Sequence, residues 1–258
     1  MCAALLAVLA LSIVSHAQTW PPAPVTPVPN APEPQKSVTV REVPLNILKD
    51  QGAIWSSPAR IGEKDLNYLV PLGLAVTLAI TTDHQVMSEK VSHNKSDNDS
   101  KTKASNVLVS PFIAAPVVMY GIGHLAHSDH ARETGILTGE ALVDSLVVEQ
   151  GMKLIFMRER PTVDGARGKF FQTSVGVDGS FPSNHSMLAW SSAAVLADEY
   201  PSTLKTLAFY GVATGVSVTR VLGQQHFPSD VLVGSAFGWM IGHYVYKRHH
   251  RWDPEAYR

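Results

Sequence analysis

The amino-acid sequence predicts an all-α protein, a single helical-bundle domain of about six core helices. Three observations carry this. From about Pro44 onward apolar residues recur at helical spacing in long blocks, and no comparable run alternates like a strand. The 258 residues suit one large domain with an ample core. The single cysteine, Cys2, excludes a disulfide framework and argues against thiolate catalysis or cysteine-ligated zinc.

The N-terminal residues read as an address. Residues 3–14 are an uncharged apolar run followed by Ser15-His16-Ala17, whose small residues fit a signal-peptidase site, although no Lys or Arg precedes the run. Residues 1–17 are therefore expected to be a signal peptide. Residues 18–44 follow as an extended linker, since seven prolines fall between 19 and 35. The helical domain is expected over 45–258. Its helices are predicted at 65–81, 106–126, 134–159, 184–199, 202–222 and 230–247, with 83–105 a polar connecting loop. Asp97-Asn98-Asp99 in that loop lacks the glycine and terminal glutamate of a calcium loop.

Composition narrows the setting. With 21 basic against 22 acidic residues, nothing attracts nucleic acid or anionic lipid to the chain as a whole. Mean hydropathy of +0.04 is low for a polytopic membrane protein. The apolar cores at 66–80 and 231–246 fall short of the roughly 20 residues a crossing needs. The predicted helix 134–159 carries Glu140, Asp144, Glu149, Lys153 and Arg158, which are costly in lipid. Six crossings after a cleaved signal would also leave the basic run 247–251 outside, against the positive-inside rule. These points favour a soluble, exported, periplasmic or cell-envelope protein over a membrane-embedded one. Glycines 211, 215, 234, 238 and 242 recur at helical spacing and allow close packing in either setting.

Three segments carry chemistry. In the first, Lys153 and Arg160 stand seven residues apart, nearly two helical turns, with Pro161 ending the helix; two cations on one face suit a phosphate. Alone, Glu149 and Lys153 read equally well as an i,i+4 surface pair. The second segment, Phe181-Pro-Ser183-Asn184-His185, opens a helix with Ser183 as N-cap. It places His185 at an anion-binding helix mouth, able to donate a proton. In the third, Arg220 ends one helix, His226 lies in a loop, and Asp230 begins the next helix. Asp230 either accepts a ring N–H from His226, freeing the other nitrogen to attack, or serves only as an N-cap.

In this order the segments, K-x6-R-P, P-S-N-H and T-R-x5-H-x3-D over residues 153–230, resemble the signature of the type 2 phosphatidic acid phosphatase superfamily. That superfamily includes class A acid phosphatases, lipid phosphate phosphatases and vanadium haloperoxidases. The resemblance implies metal-independent hydrolysis of phosphate monoesters through a phosphohistidine, with no cofactor. It implies His226 as nucleophile, Asp230 orienting it, and His185 as the acid for the leaving group. Lys153, Arg160, Ser183, the amide of Asn184, and Arg220 would bind the phosphate. Asn184 stands where glycine is usual and Thr219 where serine is; both keep the groups the site needs.

The expected substrate is a phosphorylated small molecule or a lipid phosphate. An exported acid phosphatase is the first reading. The alternatives are an integral membrane phosphatase of phosphatidate, phosphatidylglycerol phosphate or undecaprenyl pyrophosphate, a vanadium haloperoxidase, and a silent anion-binding scaffold. His124, His127 and His130 read as a helix-end polar cluster, not a metal site, and Arg158 and Arg167 as lying near the first motif, with the register favouring Arg160.

Overall fold

The computed structural model describes residues 38–251; the expected signal peptide and most of the proline-rich linker lie outside them. Among the described residues there are seven α-helices and no strand. They are α1 (Val43–Ser56), α2 (Glu63–Gln85), α3 (Lys95–Leu125), α4 (Asp129–Phe156), α5 (Asn184–Glu199), α6 (Thr203–Leu222) and α7 (Pro228–His249).

α1 carries no helix in the sequence reading, for a physical reason. It docks through polar groups, with Asn46 and Asp50 buried while Leu45 and Leu48 are exposed. Asn46 Nδ2 donates to Glu140 Oε1 at 2.8 Å, and Gln51 Nε2 to Asp144 Oδ1 at 2.8 Å, both on α4. Val38, in the expected linker, is already buried, its amide 3.4 Å from Glu133 Oε2.

The predicted loop 83–105 is helical instead. α2 runs to Gln85 and continues as a π-helical turn, Val86–Lys90, and α3 begins at Lys95. Asn94 caps α3, its side chain accepting from the amides of Ser96 and Asp97 at 2.9 and 3.3 Å. The Asp97-Asn98-Asp99 run is thus the first turn of a helix. Polarity alone does not break a helix once its amides are capped.

α5 is the hub, with twelve of its sixteen residues buried. α7 lies along it, and the glycines explain how closely. A Cβ at Gly234, Gly238 or Gly242 would stand 2.7, 2.3 or 2.3 Å from the carbonyl oxygens of Ser183, Met187 and Ser191. The order of these contacts makes α5 and α7 parallel, so Asn184 and Pro228 open at the same end. The α6 glycines differ: Gly211 meets nothing within 4 Å and Gly215 only a leucine methyl at 3.5 Å. α4 and α6 run antiparallel to α5, so their C-terminal turns, with Lys153 and Arg220, reach that same end.

The outer surface reverses the usual pattern. On α4, Glu133, Glu140, Asp144, Glu149 and Lys153 all face inward and are buried, whereas Val143, Leu146, Val147, Leu154 and Ile155 are exposed. On α2, Leu66, Val70, Leu74 and Leu78 are 47–67% exposed. α2 and α3 are each long and apolar enough to cross a membrane, with mean hydropathy over their most apolar 18 residues of 1.3 and 1.6. The charges that made α4 look too costly for lipid therefore turn away from its outer face.

Candidate active site

α4 ends before the first motif does. Its last helical residue is Phe156, and Met157 takes a left-handed φ of 38° with its amide on the Lys153 carbonyl at 2.8 Å. Lys153 and Arg160 thus do not share a helix face, contrary to the expectation from their spacing. Lys153 is buried with its Nζ 2.7 Å from Glu149 Oε1, so the pair is an interior one and not a wet i,i+4 contact. Arg160 lies on the following loop. Its guanidinium is held by the carbonyls of Asp178 and Gln225 at 3.0 and 3.1 Å, which leaves its positive charge uncancelled.

Ser183 is the N-cap residue of α5, but its side chain caps nothing. Its hydroxyl accepts from Ser186 Oγ at 3.1 Å, and its amide donates to the Asp230 carbonyl at 3.0 Å. The first-turn amides of α5 therefore have no side-chain cap, and they carry the positive end of the helix dipole. Asn184 is the first helical residue and does not use the left-handed region. The conformational tolerance that made asparagine acceptable there is not called upon.

His185 follows in the first turn. Its Nε2 is 2.9 Å from Asn106 Oδ1 of α3. Burial, then Arg220, His226, Arg160 and Lys153, pull its pKa from 6.5 to about 3. Arg220 is buried, with Nη1 3.3 Å from Ser105 Oγ and its Nε without a hydrogen-bond partner. An orphaned buried donor beside two further cations is what an anionic ligand would satisfy.

His226, 1% exposed, occupies the loop between α6 and α7 as expected. Its Nδ1 is 2.7 Å from the Ser180 carbonyl, which can only accept, so Nδ1 carries the hydrogen and Nε2 keeps its lone pair. Asp230 Oδ2 stands 3.7 Å from that nitrogen. The expected direct His226–Asp230 hydrogen bond is thus replaced by one to Ser180. Asp230 is engaged elsewhere, accepting from the Phe227 amide at 2.8 Å and from Arg158 Nη1 at 2.6 Å. Burial and the same cations hold the His226 pKa well below 6.5.

Arg158 was passed over for substrate contact, and its surroundings explain why it is nonetheless central. Only 2% exposed, it also bonds Ser229 Oγ and Asp83 Oδ2, each at 2.7 Å, and lies between the rings of Phe170 and Phe227. Asp83 in turn accepts the Ser229 amide at 3.0 Å. Asp83, Ser105, Asn106 and Ser180 had no sequence signal, because each acts across more than forty residues of chain. Arg167 is largely exposed and, among the described residues, pairs with Asp164.

All eight site residues expected from the sequence lie at the end where α4, α5, α6 and α7 converge. The PAP2 superfamily model matches residues 134–254. A lipid A 1-phosphatase from Porphyromonas gingivalis is 28% identical over 219 residues, 79% of this chain; the chain spans 45% of that relative's length. Among solved structures, a transmembrane PAP2 type phosphatidylglycerolphosphate phosphatase from Bacillus subtilis superposes with a TM-score of 0.50 at 19% identity. That match covers 83% of this chain and 97% of the other, and at this identity it speaks to the fold alone. All three motifs fall within the matched residues 134–254 on an all-helical frame, and over those residues the chain is similar to the PAP2 superfamily.

Proposed function

We propose that this protein is a membrane-embedded phosphatase that hydrolyses the phosphate monoester of a lipid through a phosphohistidine on His226. The observation that carries the membrane setting is the reversal of α4, whose charges face the protein interior while its aliphatic residues face outward. α2 adds a helix of 23 residues, about 34 Å long, with no buried residue in its apolar window. This reading is favoured over the soluble exported acid phosphatase expected from composition. The name of the Porphyromonas gingivalis relative, which specifies a lipid substrate, points the same way.

The chemistry follows from the groups at the convergent helix ends. Lys153, Arg160, Arg220 and the uncapped amides of α5 bind the phosphate oxygens. The Nε2 lone pair of His226 attacks phosphorus as the bond to the leaving oxygen breaks, and His185 gives that oxygen a proton. The charge that develops on His226 is met by the Ser180 carbonyl on Nδ1, with the Asp230 carboxylate behind it. In the second half His185 takes a proton from water, the water oxygen bonds to phosphorus, and the P–N bond breaks to restore His226. In the same reading, residues 1–17 direct export and a spacer follows them as far as Val38, which already packs on the domain.

Two measurements test this. Membranes from expressing cells should release the protein only with detergent, and the purified chain should hydrolyse phosphatidate in mixed micelles. Brief mixing with labelled substrate and an alkaline quench should trap acid-labile phosphate on the wild type and none on His226→Ala. Release by a salt wash together with hydrolysis of soluble esters alone would restore the soluble reading. Normal turnover by His226→Ala would remove the nucleophile.

A further inference from the structure

The end of α5 remote from His185 holds a second cluster of chemistry-bearing side chains. α5 has sixteen residues, so the two ends lie about 24 Å apart. Glu199, its last residue, meets Glu133 from the start of α4 and His250 just beyond α7. Both carboxyl groups are fully buried, whereas the His250 side chain is 24% exposed. His250 Nδ1 is 3.1 Å from Glu199 Oε1 and 3.2 Å from Glu133 Oε1. His130, which the sequence placed in a helix-end polar cluster, holds the other Glu199 oxygen at 2.9 Å through Nε2. The Arg251 amide donates to Glu133 Oε1 at 2.6 Å, while its guanidinium turns away to Glu42 at 3.3 Å.

We propose that Glu133, Glu199 and His250 form a binding site for a divalent transition-metal ion, with His130 positioning Glu199. Three features support it. First, bonds of about 2.0–2.1 Å to nitrogen and oxygen in a tetrahedral zinc site put neighbouring ligand atoms roughly 3.3 Å apart, close to the two separations here. Second, one imidazole and two carboxylates suit first-row divalent ions, and three protein ligands leave a fourth position for water. Third, both carboxyl groups are fully buried and already gathered around His250 Nδ1, the nitrogen a metal would take. The partly exposed His250 edge provides the route in. Such an ion would clamp the start of α4 to the ends of α5 and α7, away from the phosphate site.

Zinc and cobalt(II) are the probes. Metal-free full-length protein in detergent, dialysed against zinc, should bind one ion per chain. Glu199→Gln or His250→Gln should weaken binding at least tenfold, and His226→Ala should leave it unchanged. Because a variant can lose zinc by misfolding, the wild type with cobalt gives an independent reading: intense visible bands of low coordination, absent when zinc is added first. Zinc should also raise the wild-type unfolding temperature. A wild type that binds no more zinc than the Glu199→Gln/His250→Gln double variant, or that gives only the weak bands of hexaaqua cobalt, would overturn the proposal and leave a proton-held ion cluster. Loss of the zinc on His226→Ala would place it in the catalytic site instead.

Discussion

The catalytic proton should arrive with the substrate, and the dependence of rate on pH exposes this. In the ligand-free site His185 is held at about 3 instead of 6.5. At pH 6.5 only a very small minority of molecules then carries the proton that the leaving oxygen needs. His226 is also held neutral, its pKa well below 6.5, so the proposed nucleophile is ready throughout the neutral range. The productive encounter is therefore neutral enzyme with the monoanion of the ester. Once bound, its phosphate offsets Arg220, Arg160 and Lys153 and passes the proton to His185. A monoester loses its second proton near about pH 6. Above that, kcat/KM should fall tenfold per unit, or about a hundredfold from pH 7 to pH 9, because it reports free enzyme and free substrate. Below pH 6 it should level off and decline only where His226 protonates. The expected shape is an acidic plateau with an alkaline descent, in place of the neutral bell that two ordinary histidines would give. Initial rates on a short-chain, water-soluble phosphatidate at constant ionic strength would measure it. His185→Ala on p-nitrophenyl phosphate, which needs little protonation, should lose the descent. A wild-type profile that stays flat from pH 6.5 to 9, or a descent that survives in His185→Ala, would refute the reasoning.

Other outcomes follow from single contacts. Asn106→Ala removes the 2.9 Å partner of His185; kcat should drop roughly fivefold to tenfold on alkyl phosphates, the worth of one hydrogen bond, with less change on p-nitrophenyl phosphate. Arg158→Ala leaves Asp83 and Asp230 as buried carboxylates without their guanidinium. A loss of about 3–5 kcal/mol in unfolding experiments, with activity lost as well, is expected. Gly238→Ala puts a methyl 2.3 Å from the Met187 carbonyl and should cost about 1–3 kcal/mol by pushing α7 off α5. Gly211→Ala, with nothing within 4 Å, should be neutral or stabilising by up to about 1 kcal/mol; melting temperatures of the pair give the comparison.

The chemistry was more legible in the sequence than the architecture around it. Lys153, Arg160, Ser183, His185, Arg220, His226 and Asp230 lie within short, ordered segments, so spacing sufficed to group them as a candidate site, and the structure brings them to one end of the bundle. Spacing could not say how the chain turns between them: Met157 ends α4 four residues before Pro161, and Ser180 takes the contact meant for Asp230. The supporting groups Asp83 and Asn106 reach the site from a stretch read as loop, because its polarity hid two helix ends. α1 escaped notice since a helix that docks through Asn46, Gln51 and Asp50 has no apolar stripe to detect. The preference for a soluble setting rested on a count of the same kind. Counting charges along α4 records how many there are and says nothing of which way they point.

The convergence of four helix ends also bears on how little the proposed phosphate site costs the fold. Lys153 sits in the last turn of α4 and Arg220 in the last turn of α6, where the backbone carbonyls present a partial negative charge. Each cation is thus stabilised by its own helix before any phosphate arrives. α5 and α7 enter from the opposite polarity, and Asp230 occupies the first turn of α7, where a carboxylate is favoured. Two helices arriving by their carboxyl ends and two by their amino ends give Lys153, Arg220 and Asp230 each a local dipole of the right sign, while Arg160 is held by loop carbonyls. The parallel run of α5 and α7, made possible by the glycines between them, is what allows that alternation. A cluster of like charges that would ordinarily strain a fold is here spread over two helix ends and one loop, each of which turns carbonyl oxygens toward its cation.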